Sequence, residues 1–212
     1  WNGMIDHQPS LIARCTGVAD VKYAVDFARE NELLASVRGG GHNVAGTSLC
    51  EGGLVIDLSQ MRGVRVDPER RRVWVEPGCK WREVDHNTLP FGLAVPNGIV
   101  STTGVAGLTL GGGFGWLSRK FGLTSDNLRS AQVVTADGEV VRASAESNPE
   151  LFWGLQGAGS NFGVVTQFEF EAHEHGPSAY CGIVAYARED APDVIDFFRE
   201  FTEGAPDEVS TL

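Results

Sequence analysis

Three consecutive glycines, Gly39-Gly40-Gly41, follow the short apolar run Leu33 to Val37 and lead directly into His42. With no Cβ atoms, such a run can turn through positive φ and bring backbone close to a ligand. Successive N–H groups in that geometry form a concave anion-binding nest, and Arg38 at its entrance would add a positive charge. A glycine cluster taken alone fits a surface turn equally well. What precedes it narrows the choice. Leu11 to Arg14 is a strand candidate, and Val18, Val21, Ala24, Val25 and Ala28 recur at the spacing of one helix face up to Asn31. Strand, helix and strand then place the loop at the carboxyl end of a βαβ unit, where α/β folds bind ligands.

The 212 residues allow one large domain or two small ones, with roughly 70% of the surface buried on folding. The 27 glycines fall into local clusters instead of a periodic repeat, the pattern of loops that touch something. Seventeen Lys and Arg against 28 Asp and Glu leave a formal charge of −11. That argues against nucleic acid or an anionic membrane as partner, and it leaves room for a dinucleotide held by backbone N–H groups. Cys15, Cys50, Cys79 and Cys181 have no metal-ligand spacing and no disulfide framework, so isolated buried thiols and no metal are expected. No apolar run approaches the roughly 18 residues of a membrane span. The chain starts at Trp1 with no secretory signal pattern, which leaves a removed leader or tag open and the compartment, cytoplasmic or exported, undetermined.

Downstream, residues 53 to 58 read as a buried strand, and Val64 to Val66 pairs with Arg72 to Val75 as a hairpin across Asp67-Pro68-Glu69-Arg70. Lys80 to Leu89 reads as a helix with Trp81, Val84 and Leu89 inward, and Cys79 before it as a small core residue. Pro96 to Gly115 is a second glycine-rich block almost without charge. A solvated loop would carry charges, so this block is expected to pack against something, either a flat ligand or a sheet. The charges within Trp116 to Leu128 suggest that this stretch reaches solvent. Ala131 to Thr135 and Glu139 to Arg142 flank an Asp137-Gly138 turn, a strong hairpin signal. Asn148 as N-cap and Pro149 at the first position open a helix.

Gly157 to Gly163 forms a third cluster. It is not a dinucleotide fingerprint, because Phe162 stands where the last glycine would be and the strand Val164 to Phe170 follows instead of a helix. His173 and His175 read as a solvated pair in a polar connector ending at Pro177. A new strand, Tyr180 to Ala187, and a new helix, Pro192 to Thr202, then begin a second unit. The expected division is 1–175 and 176–212, the second part cut short.

Four motifs in order, Arg38 to Gly46, Gly98 to Gly115, Asp126-Asn127-Leu128, and Asn148 to Trp153 with Gly159 to Thr166, resemble the FAD-binding domain of the berberine bridge enzyme-like flavoproteins of the vanillyl-alcohol oxidase superfamily. The match spans nearly all of residues 8–172. The resemblance implies an α+β fold, a PCMH-type FAD-binding domain of two α/β subdomains followed by the start of a substrate domain. It implies FAD as cofactor, with the first loop on the pyrophosphate and His42 at the position of the histidine bonded to the flavin 8α-methyl. A second tether in many relatives, a cysteine to flavin C6, is matched here by Val100, so one covalent link is expected.

By the same resemblance Val37, Arg38, Gly39, Gly40, Gly41, His42 and Asn43 line the pyrophosphate and ribityl chain. Val100, Ser101, Thr102, Gly104, Gly107, Leu108, Leu110, Gly112 and Gly115 match the block flanking the isoalloxazine and diphosphate, and Gly163, Val164 and Val165 the strand on the adenine side. Gln156 replaces an arginine common in relatives, which implies a weaker polar contact there. The family's catalytic acids and tyrosines come largely from the second domain and a later segment, so no catalytic residue is assigned. The implied activity is hydride abstraction from an alcohol, sugar or amine to flavin N5, with O2 as acceptor. A non-catalytic FAD-binding module and an NAD(P)H-dependent reductase of the same superfamily, a type without the histidine tether, remain open.

Overall fold

The computed structural model describes residues 1–159, 161–176 and 178–211. Of the positions read above, Ser160, Pro177 and Leu212 lie outside them. The first layer is a parallel sheet of β1 (Leu11–Arg14), β2 (Ala35–Arg38) and β3 (Leu54–Asp57), in the order β1-β3-β2 and backed by α1 (Val18–Glu30). β3 takes the centre because all four of its residues are buried, as a strand covered on both faces requires. Val21, Ala24 and Ala28 of α1 pack into the same core. β2 begins two residues later than the apolar run suggests. The turn closing α1 consumes Leu33, whose N–H donates to Ala28 O at 2.8 Å, with Glu32 at φ 53° in the left-handed region.

The second layer is antiparallel, built from β4 (Val64–Asp67), β5 (Arg72–Val75), β7 (Leu128–Val134), β8 (Val140–Ser144) and β9 (Val164–Glu171) in the order β4-β5-β9-β7-β8. β6 (Leu93–Ala94) lies outside it, paired with β10 (His173–Glu174). Both expected hairpins are present, Val64 opposite Val75 and Val134 opposite Val140. The helices α2 (Trp81–Thr88), α3 (Val105–Leu110) and α5 (Pro149–Leu155) contribute Trp81, Val84, Val105, Leu110, Phe152 and Leu155 to a core with Phe168 and Phe170 of β9. Leu89, expected inward, is exposed in a 3-10 turn after α2. Asn148 does not cap α5 through its side chain; it sits at φ 52° and donates Nδ2 to Arg142 O at 2.8 Å, while Pro149 does occupy the first turn. Val134 and Val164, at adjoining ends of β7 and β9, belong to the first layer's core and join the two layers.

After β10 the expected strand Tyr180 to Ala187 is absent. Tyr180, Ile183, Val184 and Tyr186 are exposed, because strand propensity makes no ladder without a neighbouring strand and none runs beside these residues among those described. Cys181 is accordingly exposed, unlike the buried thiols of Cys15, Cys50 and Cys79. α6 (Ala191–Gly204) forms as expected. It is held by Arg119, on α4 (Ser118–Phe121), whose Nη2 donates to the carbonyls of Thr202 at 3.0 Å and Ala205 at 2.7 Å. The charge of Arg119 thus reaches a helix end as well as solvent. His173 is not a solvated connector residue. Its Nε2 lies 2.6 Å from Asn127 Oδ1 and its ring stacks on Phe121 at 4.2 Å. Burial, then the charges of Arg71 and Arg129, hold its pKa below the usual histidine value. Among the described residues no helix is long and apolar enough to cross a membrane.

Candidate functional site

The three glycine clusters, far apart in sequence, converge on one cleft of about 540 Å³ between the layers. Ser36 and Val37 of β2 and residues 39 to 43 form one wall, residues 103 to 110 around the start of α3 a second, and Ala158, Gly159, Asn161 and Gly163 to Val165 a third. The first two walls touch backbone to backbone. A Cβ on Gly40 would lie 2.8 Å from Gly104 N and nearer still to its Cα; one on Gly104 would lie 2.7 Å from Gly40 Cα. The third wall is tied to the second where Gly159 N–H donates to Leu110 O at 2.8 Å.

His42 is the only titratable side chain among the described residues that line this cleft. Its Nε2 is buried with no hydrogen-bond partner among the described residues, and so is Ser36 Oγ. The N–H groups of Gly40, Gly41, His42 and Asn43 find no acceptor among the described residues. A concave site rich in free backbone donors, with orphaned polar atoms and little charge, suits a polyanionic ligand bound largely by main chain. FAD meets that description: a diphosphate for the donors, and flat rings for walls without Cβ atoms. Among the described residues no group of three or more metal-ligating side chains occurs.

Thirteen of the nineteen residues implied by the resemblance line the cleft: Val37, Gly39, Gly40, Gly41, His42, Asn43, Gly104, Gly107, Leu108, Leu110, Gly163, Val164 and Val165. Arg38 does not. Its Nη1 lies 3.3 Å from both carboxylate oxygens of Asp57, directly opposite in the β2–β3 register, and its guanidinium packs beneath Gly41. The charge expected at the loop entrance is neutralised by an ion pair underneath it. Val100, Ser101 and Thr102 sit on an exposed loop whose Ser101 and Thr103 carbonyls accept the N–H groups of Arg82 and Trp81 at the start of α2. Gly112 is buried, and Gly115 lies against Asn97 and Gly98, where a Cβ would come within 2.7 Å of Gly98 C; both shape the chain path behind the wall. Gln156 makes a polar contact of its own, donating Nε2 to Ser125 O at 3.0 Å.

Ten further lining residues lie outside those nineteen: Ala35, Ser36, Thr47, Ser48, Leu58, Thr103, Ala106, Ala158, Gly159 and Asn161. Ala158 and Asn161 belong to the third glycine cluster, whose density of small residues was the available signal. An apolar recess of about 390 Å³, bounded by Val25, Ala28, Leu33 and Ile56, adjoins the cleft and shares Val37, Asn161, Gly163 and Val164 with it. Burial, reinforced by nearby carboxylates, pushes the thiols of Cys15 and Cys79 up to about 11, which keeps them in the unreactive protonated form. Cys79 is wholly buried, with its Sγ 3.6 Å from Gly63 O.

Asp85 of α2 underlies the second glycine block and accepts a hydrogen bond from Asn97 Nδ2 at 2.8 Å. Burial pushes its carboxyl up to about 6 despite that bond. The folded state therefore holds a proton that the unfolded chain releases near pH 4. This contribution to stability is complete below about pH 4 and is lost as pH rises through about 6. Asp85→Asn is expected to stabilise the protein by about 1–2 kcal/mol at pH 8 after allowance for solvent screening, and by almost nothing at pH 4. Urea unfolding at both pH values checks this, and equal shifts at the two would contradict it.

A family model described as an FAD binding domain matches residues 9–144. An FAD-linked oxidoreductase of Dictyostelium discoideum is 40% identical over 99% of this chain and 46% of its own length. The 6-hydroxy-D-nicotine oxidase of Arthrobacter nicotinovorans superposes with a TM-score of 0.81 at 42% identity, over 82% of this chain and 38% of that one. Glucooligosaccharide oxidase from Acremonium strictum, a structure described with 6-S-cysteinyl, 8α-N1-histidyl FAD, does so with a TM-score of 0.79 at 33% identity, over 82% and 37%. The chain spans less than half the length of these relatives.

Proposed function

Since this chain belongs to the FAD-binding family of FAD-linked oxidoreductases, with the berberine bridge enzyme-like oxidases among its relatives, we propose that it is the flavin-holding part of an oxidase acting on an alcohol, sugar or amine. The observation that supports this most is the meeting of three glycine clusters on one cleft in which His42 is the only titratable wall residue among those described. When bound, FAD would accept a hydride at N5 from the carbon bearing the hydroxyl or amine and return two electrons to O2 as hydrogen peroxide. The free N–H groups of Gly40 to Asn43 hold the diphosphate, and Ser36 Oγ adds a hydrogen bond beside them. Val37, Leu58, Leu110 and Val165 exclude water from the same cleft. The apolar recess behind Val37 and Val164 would take the adenine end. His42 carries the covalent link, and with Val100 in the place of the second tether there is one link only.

Acid precipitation of the purified protein tests the link. Yellow flavin colour is expected to stay in the washed pellet; colour released wholly to the supernatant would sink the tether. Anaerobic bleaching of the bound flavin by an oligosaccharide, alcohol or amine tests the activity. Bleaching by NADPH alone would favour the reductase instead.

A further inference from the structure

A histidine ring normally takes its orientation from a hydrogen bond to one nitrogen. His42 has none. Nε2 is buried without a partner, Nδ1 makes no hydrogen bond among the described residues, and the imidazole torsion has broad minima that leave the plane free. What meets the ring is Trp1, whose indole lies 3.5 Å from it centroid to centroid at an interplanar angle of 30°. Trp1 is itself 72% exposed among the described residues. Residues 1–5 hold it in place by running along the loop. Asn2 Nδ2 donates to Val44 O at 2.8 Å, Met4 N–H donates back to Asn2 Oδ1 at 3.0 Å, and Ile5 N–H to Asn2 O at 3.1 Å. Ile5 then packs on Gly46, where a Cβ would lie 2.8 Å from Ile5 Cγ1 and φ is 80°.

We propose that residues 1–5 form a strap across the His42 loop and that Trp1 is a positioning residue, its indole fixing the imidazole plane for attachment to the flavin. The proposal rests on the tether assigned to His42 above. In that attachment His42 gives up its ring N–H and forms an N–C8α bond in place of one methyl C–H bond. The two protons and two electrons released are taken by O2 as hydrogen peroxide. Trp1 makes or breaks no bond in that step; it restricts the ring to one plane and shields one of its faces. The proposal separates the strap from a chain segment that merely fills space, because a flat ring of any kind should serve and an aliphatic stub should not.

The test uses Trp1→Ala and Trp1→Phe with two readouts. In holoprotein, the fraction of flavin retained after acid precipitation is expected to fall about fivefold in the alanine protein and to stay within about twofold of wild type in the phenylalanine protein, the scale of one aromatic stack. In apoprotein from riboflavin-starved cells, carbethoxylation of His42 by diethyl pyrocarbonate, followed on its own peptide by mass spectrometry, is expected to quicken about fivefold in the alanine protein and to return with phenylalanine. Wild-type values for Trp1→Ala in both readouts overturn the proposal, as does equal loss in both variants. A wild-type protein with no acid-stable flavin would instead overturn the tether, and the carbethoxylation readout would still decide the role of Trp1.

Discussion

Gly40→Ala is expected to lower stability by about 3 kcal/mol, the upper end of the cost of overpacking, and to abolish FAD binding with it. The added methyl would meet Gly104 N at 2.8 Å and its Cα closer still. These are backbone atoms and cannot swing aside as a side chain would. α3 cannot retreat either, since Val105 is wholly buried and its N–H is held by Cys79 O at 3.0 Å. The loop must therefore move into the cleft, displacing the donors of Gly40 to Asn43 from whatever they bind. Gly107→Ala is the comparison. It lines the same cleft, a Cβ there meets nothing within 4 Å, and its helical position gains about 0.5–1 kcal/mol from alanine. Urea midpoints of the two apoproteins should move in opposite directions, and a wild-type midpoint for Gly40→Ala would refute the backbone contact.

The second large effect is at His42. His42→Ala is expected to keep FAD bound, because the donors are main chain, and to release all of it into acid. The potential of the bound flavin should fall as well, since an electron-withdrawing ring nitrogen on the 8α carbon favours the reduced form. Each 30 mV or so lost from a two-electron couple is about tenfold in the hydride-transfer equilibrium. Spectroelectrochemistry of wild type and variant, set beside the acid-pellet assay, checks both. An unchanged potential together with unchanged colour partition would mean that His42 is an ordinary loop residue.

What the sequence reveals here is what local pattern encodes. α1, the Asp137-Gly138 hairpin and the helix opened by Pro149 follow from periodicity and turn chemistry within a few residues. The place of β3 between β1 and β2 does not, because strand order is a long-range choice. Arg38 reads as a free cation until the parallel register sets it opposite Asp57. His173 reads as solvated until β10 pairs with β6 and brings it to Asn127. Tyr180 to Ala187 has the composition of a strand and no neighbour to make it one. The cofactor itself was legible because four spaced motifs together are specific where each alone is not. Ser36 and Asn161 escaped because neither residue type is unusual in a strand or a turn.

One pairing sets the order in which the site can come into being. β5 lies beside β9, with Val75 opposite Phe168, and the chain between them contains α2, α3, β7, β8 and α5. Bringing those two strands together closes a long loop, so its entropy cost comes before the reward of the contacts and slows folding. The second and third glycine blocks lie inside that loop, and the first lies outside it. The third wall therefore meets the first through contacts between residues far apart in sequence, so the cleft is expected to form only with the long-range β5–β9 pairing in place and to be lost with it.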